Sequence, residues 1–113
     1  MTDTPPSHFR PRLLLVDDVP SNLRALSDLL PEHYEQQHAT SGAEALRLLR
    51  RPPLPDLIVL DVMMPDMDGY AVLQEIRRWV TTRNIPVVFI TALNDAPNEI
   101  LGLELGAADY ITK

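Results

Sequence analysis

Oxygen-bearing side chains recur in this chain directly after apolar runs. Leu13-Leu14-Leu15-Val16 stops at Asp17-Asp18, Leu57-Ile58-Val59-Leu60 at Asp61, and Pro86-Val87-Val88-Phe89-Ile90 at Thr91. A further run, Tyr110-Ile111-Thr112, leads into Lys113, the single lysine of a chain with nine arginines. Carboxylates gathered in one crevice repel one another, and the remedies are a proton on one of them or a cation. Hard oxygen ligands without Cys or His suit Mg²⁺, or Mn²⁺ in its place. A carboxylate beside such an ion can attack phosphorus and become an aspartyl-phosphate. The transferred group then carries charge on three oxygens, which a cation, an ammonium and a hydroxyl donor would hold. Asp61, Lys113 and Thr91 have the side chains for these roles.

Such a site exists only if the chain brings those positions together. The apolar runs of four or five residues read as strands buried on both faces of a parallel sheet. Helical stripes lie between them. Pro20 can open the first helix, whose stripe is Leu23, Leu26, Leu29 and Leu30, and Pro31 ends it. Residues 33–39 read as a weak, polar edge strand. Ser41 and Glu44 have capping-box spacing, so a second helix starts there with Ala45, Leu46 and Leu49 inward, closed by Pro52-Pro53. A third helix follows Gly69 with Val72, Leu73, Ile76 and Val80 as its stripe. A fourth begins near Asp95 and stops near Gly106. Strands alternating with helices imply right-handed crossovers and a parallel sheet with helices on both faces. Ligand sites of such sheets lie beyond the carboxyl ends of the strands. Asp17, Asp18, Asp61, Thr91 and Lys113 would therefore share one edge.

Composition narrows the functions available. The chain has 113 residues, enough for one core. It has no cysteine, which excludes disulfides, thiolate metal sites and thiol catalysis, and fits a reducing cytoplasm. A net charge of -6 argues against direct nucleic-acid binding and against a basic membrane-surface role. No apolar run approaches the roughly 20 residues of a membrane span. Residues 1–12 are polar and Pro-rich and read as a flexible leader; a single domain is expected over 13–113.

The combination resembles the receiver domain of two-component response regulators. The matching segments are Leu14–Asp18 (LLVDD), Leu57–Gly69 (LIVLDVMMPDMDG), Pro86–Ala92 (PVVFITA) and Gly106–Lys113 (GAADYITK). The resemblance implies a flavodoxin-like, doubly wound α/β fold with five parallel strands in the order 2-1-3-4-5. It implies Asp61 as phosphoacceptor, Asp18 as a direct Mg²⁺ ligand, Asp17 bound more through water, and the backbone carbonyl of Met63 completing the set. Thr91 and Tyr110 match the family's switch pair. The implied partners are a sensor histidine kinase or phosphotransfer protein and an output domain beyond residue 113, in the cytoplasm. The family continues past the lysine into a fifth helix, so the chain reads as truncated after strand five. That would expose apolar sheet surface and invite homodimerisation.

Each residue also has a plainer reading. Asp17-Asp18 could be acids favouring a helix N-terminus, Asp61 a loop acid, Thr91 a strand-end hydroxyl, Tyr110 core and Lys113 a solvated end. Their joint placement at strand ends favours the site. His8, His33 and His38 read as surface residues, and Trp79 as partly exposed packing. Arg50-Arg51 and Arg77-Arg78 read as cations at helix ends. Asn22 lies on the first helix, near enough to the site for a hydrogen bond to a neighbour, with no further role assigned. An Asp-dependent phosphohydrolase would need a second acid two residues past the nucleophile, where Met63 stands, so turnover on exogenous esters is not expected. The four glycines build no phosphate-binding loop, and a pure docking module would not need the full set of site residues.

Overall fold

The computed structural model describes residues 10–30, 34–91, 106 and 109–112. Its elements in chain order are β1 (Arg12–Val16), α1 (Pro20–Leu29), β2 (Glu35–Ala39), α2 (Gly42–Leu48), β3 (Leu57–Asp61), α3 (Gly69–Arg78), β4 (Val87–Thr91) and β5 (Asp109–Thr112). The strands form one five-stranded sheet in the order β2-β1-β3-β4-β5. Every pairing is parallel, as the alternation of strands and helices requires. The positions of the expected leader up to residue 9, and of the expected fourth helix before Gly106, lie outside the described residues.

Alternation along the strands sorts the core into two layers. Leu14, Val16, Ile58, Leu60, Val87 and Phe89 face one side and pack with Ala45, Leu46 and Leu49 from α2 and its end, and Val72, Leu73 and Ile76 from α3. Leu13 and Leu15 face the other side and pack on Leu23 of α1, with Leu57, Val59, Leu26 and Leu30 partly buried around them. Burial on both faces is why the central strands are continuous apolar runs. The polar β2 sits at the sheet's edge, where one face and one ladder are spared that demand.

Local chemistry starts the helices where the sequence indicates. Pro20 occupies the first turn of α1. Ser41 Oγ accepts from the Glu44 N–H at 3.0 Å, while Glu44 Oε1 reaches the Thr40 N–H at 2.6 Å, one residue earlier than an ideal capping box. Asp68 caps α3 by accepting from Ala71 N–H at 2.9 Å.

Two expected core residues are not core. Leu29 is 82% exposed: at 100° per residue it stands about 120° around the helix from Leu23, outside the stripe that meets the sheet. Val80 is 76% exposed. Trp79 turns to extended backbone and ends α3 at Arg78, so Val80 falls in the following turn. That turn is tied down by Thr82, whose buried hydroxyl donates to the Ile76 carbonyl at 2.7 Å. Trp79 is half-buried against the core, with the Arg50 guanidinium 5.4 Å from its ring centre. No helix among the described residues is long and apolar enough to cross a membrane.

Candidate functional site

The register of the sheet builds the site. Val16 pairs with Leu60, so Asp17, the residue after β1, comes level with Asp61 at the end of β3. Both belong to the same odd-numbered face as Leu13, Leu15, Leu57 and Val59. Asp61 in turn pairs with Ile90, which brings Thr91 one position beyond it on β4. Parallel neighbours with matched ends thus set three strand termini side by side.

Asp17, Asp18 and Asp61 each place a carboxylate oxygen within 4.8 Å of the other two. Asp17 is 1% exposed and Asp61 5% exposed, while Asp18 is half-buried. Asp17 is held rigidly. Its N–H donates to the Ala39 carbonyl at 3.1 Å, and its Oδ1 accepts from the Val19 N–H at 2.9 Å. The Asn22 amide donates to Oδ1 and Oδ2 at 3.3 and 3.2 Å. Buried anionic oxygens held this close are a costly arrangement without a counter-charge. Two oxygens on one Mg²⁺ can lie up to about 4.2 Å apart, twice its metal–oxygen distance of about 2.1 Å. Separations bounded by 4.8 Å are thus compatible with one divalent ion if one carboxylate shifts slightly or binds through a water. The all-oxygen donor set suits Mg²⁺ or Mn²⁺.

The loop from Val62 to Asp68 folds back onto the acceptor. Gly69 N–H donates to the Val62 carbonyl at 2.8 Å, and Val62 N–H to the Ile90 carbonyl at 3.3 Å. A side chain at Gly69 would run into the Asp61 carbonyl oxygen and come within 3.0 Å of the Phe89 ring. Asp66 takes a left-handed conformation, φ 69°, which short polar residues tolerate. Met63 is 53% exposed, whereas Met64 is buried in the core.

Of the residues singled out in the sequence, the structure thus unites Asp17, Asp18 and Asp61, with Met63 two residues past Asp61. Thr91 ends β4 and pairs with Thr112, and Tyr110 pairs with Phe89. The side chains of Thr91 and Tyr110, and Lys113 as a whole, lie outside the described residues. His38 is an exposed residue beside Gln36. Two residues do more than their sequence positions indicate. Asn22 is a hydrogen-bond partner of Asp17; its distance of five residues across a helix start was the available signal. Arg77 is more than a helix-end cation. Its guanidinium donates to two backbone carbonyls, a role that no local pattern announces.

Comparison with known proteins agrees with this fold. Residues 13–113 match the family model described as the response regulator receiver domain. The response regulator PleD of Caulobacter vibrioides is 50% identical over 103 residues, which is 90% of this chain and 22% of that protein. A putative response regulator from Chloroflexus aurantiacus superposes with a TM-score of 0.85 at 36% identity, covering 93% of this chain and 86% of the other. The phosphorylated cyanobacterial phytochrome response regulator RcpA superposes with a TM-score of 0.84 at 29% identity, covering 93% and 81%. The chain spans about a fifth of the length of the first of these relatives.

Proposed function

This chain belongs to the response regulator receiver domain family, the phosphoacceptor module of two-component signalling, and from that premise we propose that Asp61 is its phosphoacceptor. The observation that supports this most is the set of three carboxylates within 4.8 Å at the carboxyl edge of the sheet. Asp61 is the member at the end of the central strand, flanked by Asp17 just past the end of one neighbouring strand and by Thr91 at the end of the other.

The donor is the phosphohistidine of a sensor kinase or phosphotransfer protein. An Asp61 carboxylate oxygen forms the new P–O bond as the P–N bond breaks, and the imidazole nitrogen keeps the bonding pair and takes a proton. Asp17, Asp18, Asp61 and the Met63 carbonyl would hold Mg²⁺, which when bound neutralises carboxylate and phosphoryl charge. Asp17 is preset for this by Val19 and Asn22. The Thr91 hydroxyl and the Lys113 ammonium hold the phosphoryl oxygens. The added charge draws Thr91 inward, and Tyr110 follows, which biases the β4–β5 side of the sheet. In a longer protein, of which relatives such as PleD are examples in length, this switch controls an output domain. Met63 offers no proton at the position two past the nucleophile, so the chain takes one phosphoryl group and does not turn over exogenous esters.

The test is intact-mass measurement after incubation with acetyl phosphate and Mg²⁺. One phosphate adduct is expected, absent in Asp61→Asn and absent with a chelator. No adduct on the unaltered chain, or one that persists in Asp61→Asn, would overturn the assignment.

A further inference from the structure

The opposite edge of the sheet contains a clamp that the phosphoacceptor chemistry does not explain. Arg77 lies in the last turn of α3. One guanidinium nitrogen donates to the Ile85 carbonyl at 2.8 Å, and another donates to the Gly106 carbonyl, also at 2.8 Å. Ile85 lies two residues before β4 and Gly106 three residues before β5. A single planar fork thus ties together the starts of two neighbouring parallel strands. The side chain is half-buried, and desolvation pulls the guanidinium down from its ordinary value. Among the described residues, neutral carbonyls answer it.

The surroundings fit the clamp. Gly106 has φ +104°, a conformation that favours glycine, and a side chain there would come within 3.0 Å of Arg77 Nε. Thr82 and the Ile85 N–H fix the turn between α3 and β4, the latter donating to the Thr82 carbonyl at 3.0 Å. At its other end α3 starts at Gly69, packed against the Asp61 backbone. The helix is therefore anchored to the acceptor strand at one end and, through Arg77, to β4 and β5 at the other.

We propose that Arg77 is a positioning residue for phosphoryl transfer: its two-carbonyl clamp sets β5 in register with β4, so that the ends of both strands align beside Asp61. The reason is the rule of parallel pairing. Thr91 meets Thr112 only if Val88 meets Asp109, and a slip of one residue would turn every side chain of β5 to the other face. The proposal rests on the reading of Asp61 as phosphoacceptor.

The test compares Arg77→Gln, Arg77→Lys and the unaltered chain at a temperature where their far-ultraviolet circular dichroism coincides. In Arg77→Gln, amide protection should fall in β4 and β5 while β1 and β3 keep theirs. The saturating rate of phosphorylation by acetyl phosphate should fall about tenfold, with the half-saturating donor concentration and the Mg²⁺ Kd within about twofold of the original. Arg77→Lys, which keeps the charge but lacks the planar fork, should restore part of both. Unchanged β5 protection with an unchanged rate would overturn the proposal. So would a uniform loss of protection in all strands with a matching loss of Mg²⁺ affinity, which marks a residue that only stabilises the fold. If the unaltered chain takes no phosphate, the phosphoacceptor reading fails, and the clamp fails as a positioning device for transfer with it. The exchange data then still decide whether Arg77 sets the strand register.

Discussion

Asn22 spans both carboxylate oxygens of Asp17 with one amide nitrogen, at 3.3 and 3.2 Å. A buried carboxylate beside two others thereby gains a neutral donor that eases its desolvation and leaves its charge for a cation to balance. Removing a partner of a buried charged group costs about 1.5–3 kcal/mol. Asn22→Ala is therefore expected to lose about that much stability in chelator, measured by urea unfolding. In saturating Mg²⁺ the loss should be clearly smaller, because the ion stabilises the Asp17 carboxylate in place of the lost donor. An equal loss under both conditions would show that Asn22 serves the fold alone.

The three site acids should contribute unequally to metal binding. Asp17 accepts from the Val19 N–H and from the Asn22 amide, whereas half-buried Asp18 is the proposed direct ligand. Titration calorimetry with Mg²⁺ is expected to show a larger loss of affinity for Asp18→Asn than for Asp17→Asn. Mg²⁺ should also raise the unfolding free energy of the unaltered chain as RT ln(1 + [Mg²⁺]/Kd), an increase that Asp61→Asn largely removes. The reverse ranking of Asp17 and Asp18 would exchange their roles.

Gly69 is where α3 meets the acceptor strand. Its missing side chain leaves room for the Asp61 carbonyl and the Phe89 ring. Gly69→Ala should destabilise by about 1–3 kcal/mol, as overpacking of a tight contact does. Because the displaced backbone is that of Asp61 and Val62, the phosphorylation rate should fall as well. A stable variant with normal kinetics would mean that the loop relaxes without cost.

Leu29 and Leu73 have the same side chain at helical positions, with opposite fates. Leu73 is fully buried between sheet and helices, while Leu29 is 82% exposed. Leu73→Ala should cost about 2–5 kcal/mol, and Leu29→Ala should stay within about 0.5 kcal/mol. Thermal or urea unfolding of the two variants settles the contrast; comparable losses would place Leu29 in a contact outside the described residues.

The amino-acid sequence alone determines the elements and the edge on which the chemistry sits. Apolar runs such as Leu13–Val16 and Leu57–Leu60 can be buried only in the middle of a parallel sheet. A residue that ends such a run must lie at the sheet's carboxyl edge, so Asp17, Asp18, Asp61 and Thr91 were legible as one group. Helix starts were legible at Pro20 and Ser41, because caps are local chemistry. What stayed hidden depends on distance in the chain. Leu29 and Val80 fit an apolar stripe on paper, yet whether a helix face meets the sheet, and where the helix stops, is settled by packing. Asn22 was legible as within hydrogen-bond reach of the site, but the turn after β1 decided that its partner is Asp17. Arg77 looked like any cation at a helix end. Only the folded chain brings it to carbonyls 8 and 29 residues away, because tertiary structure alone decides which unpaired backbone groups lie within reach of a guanidinium.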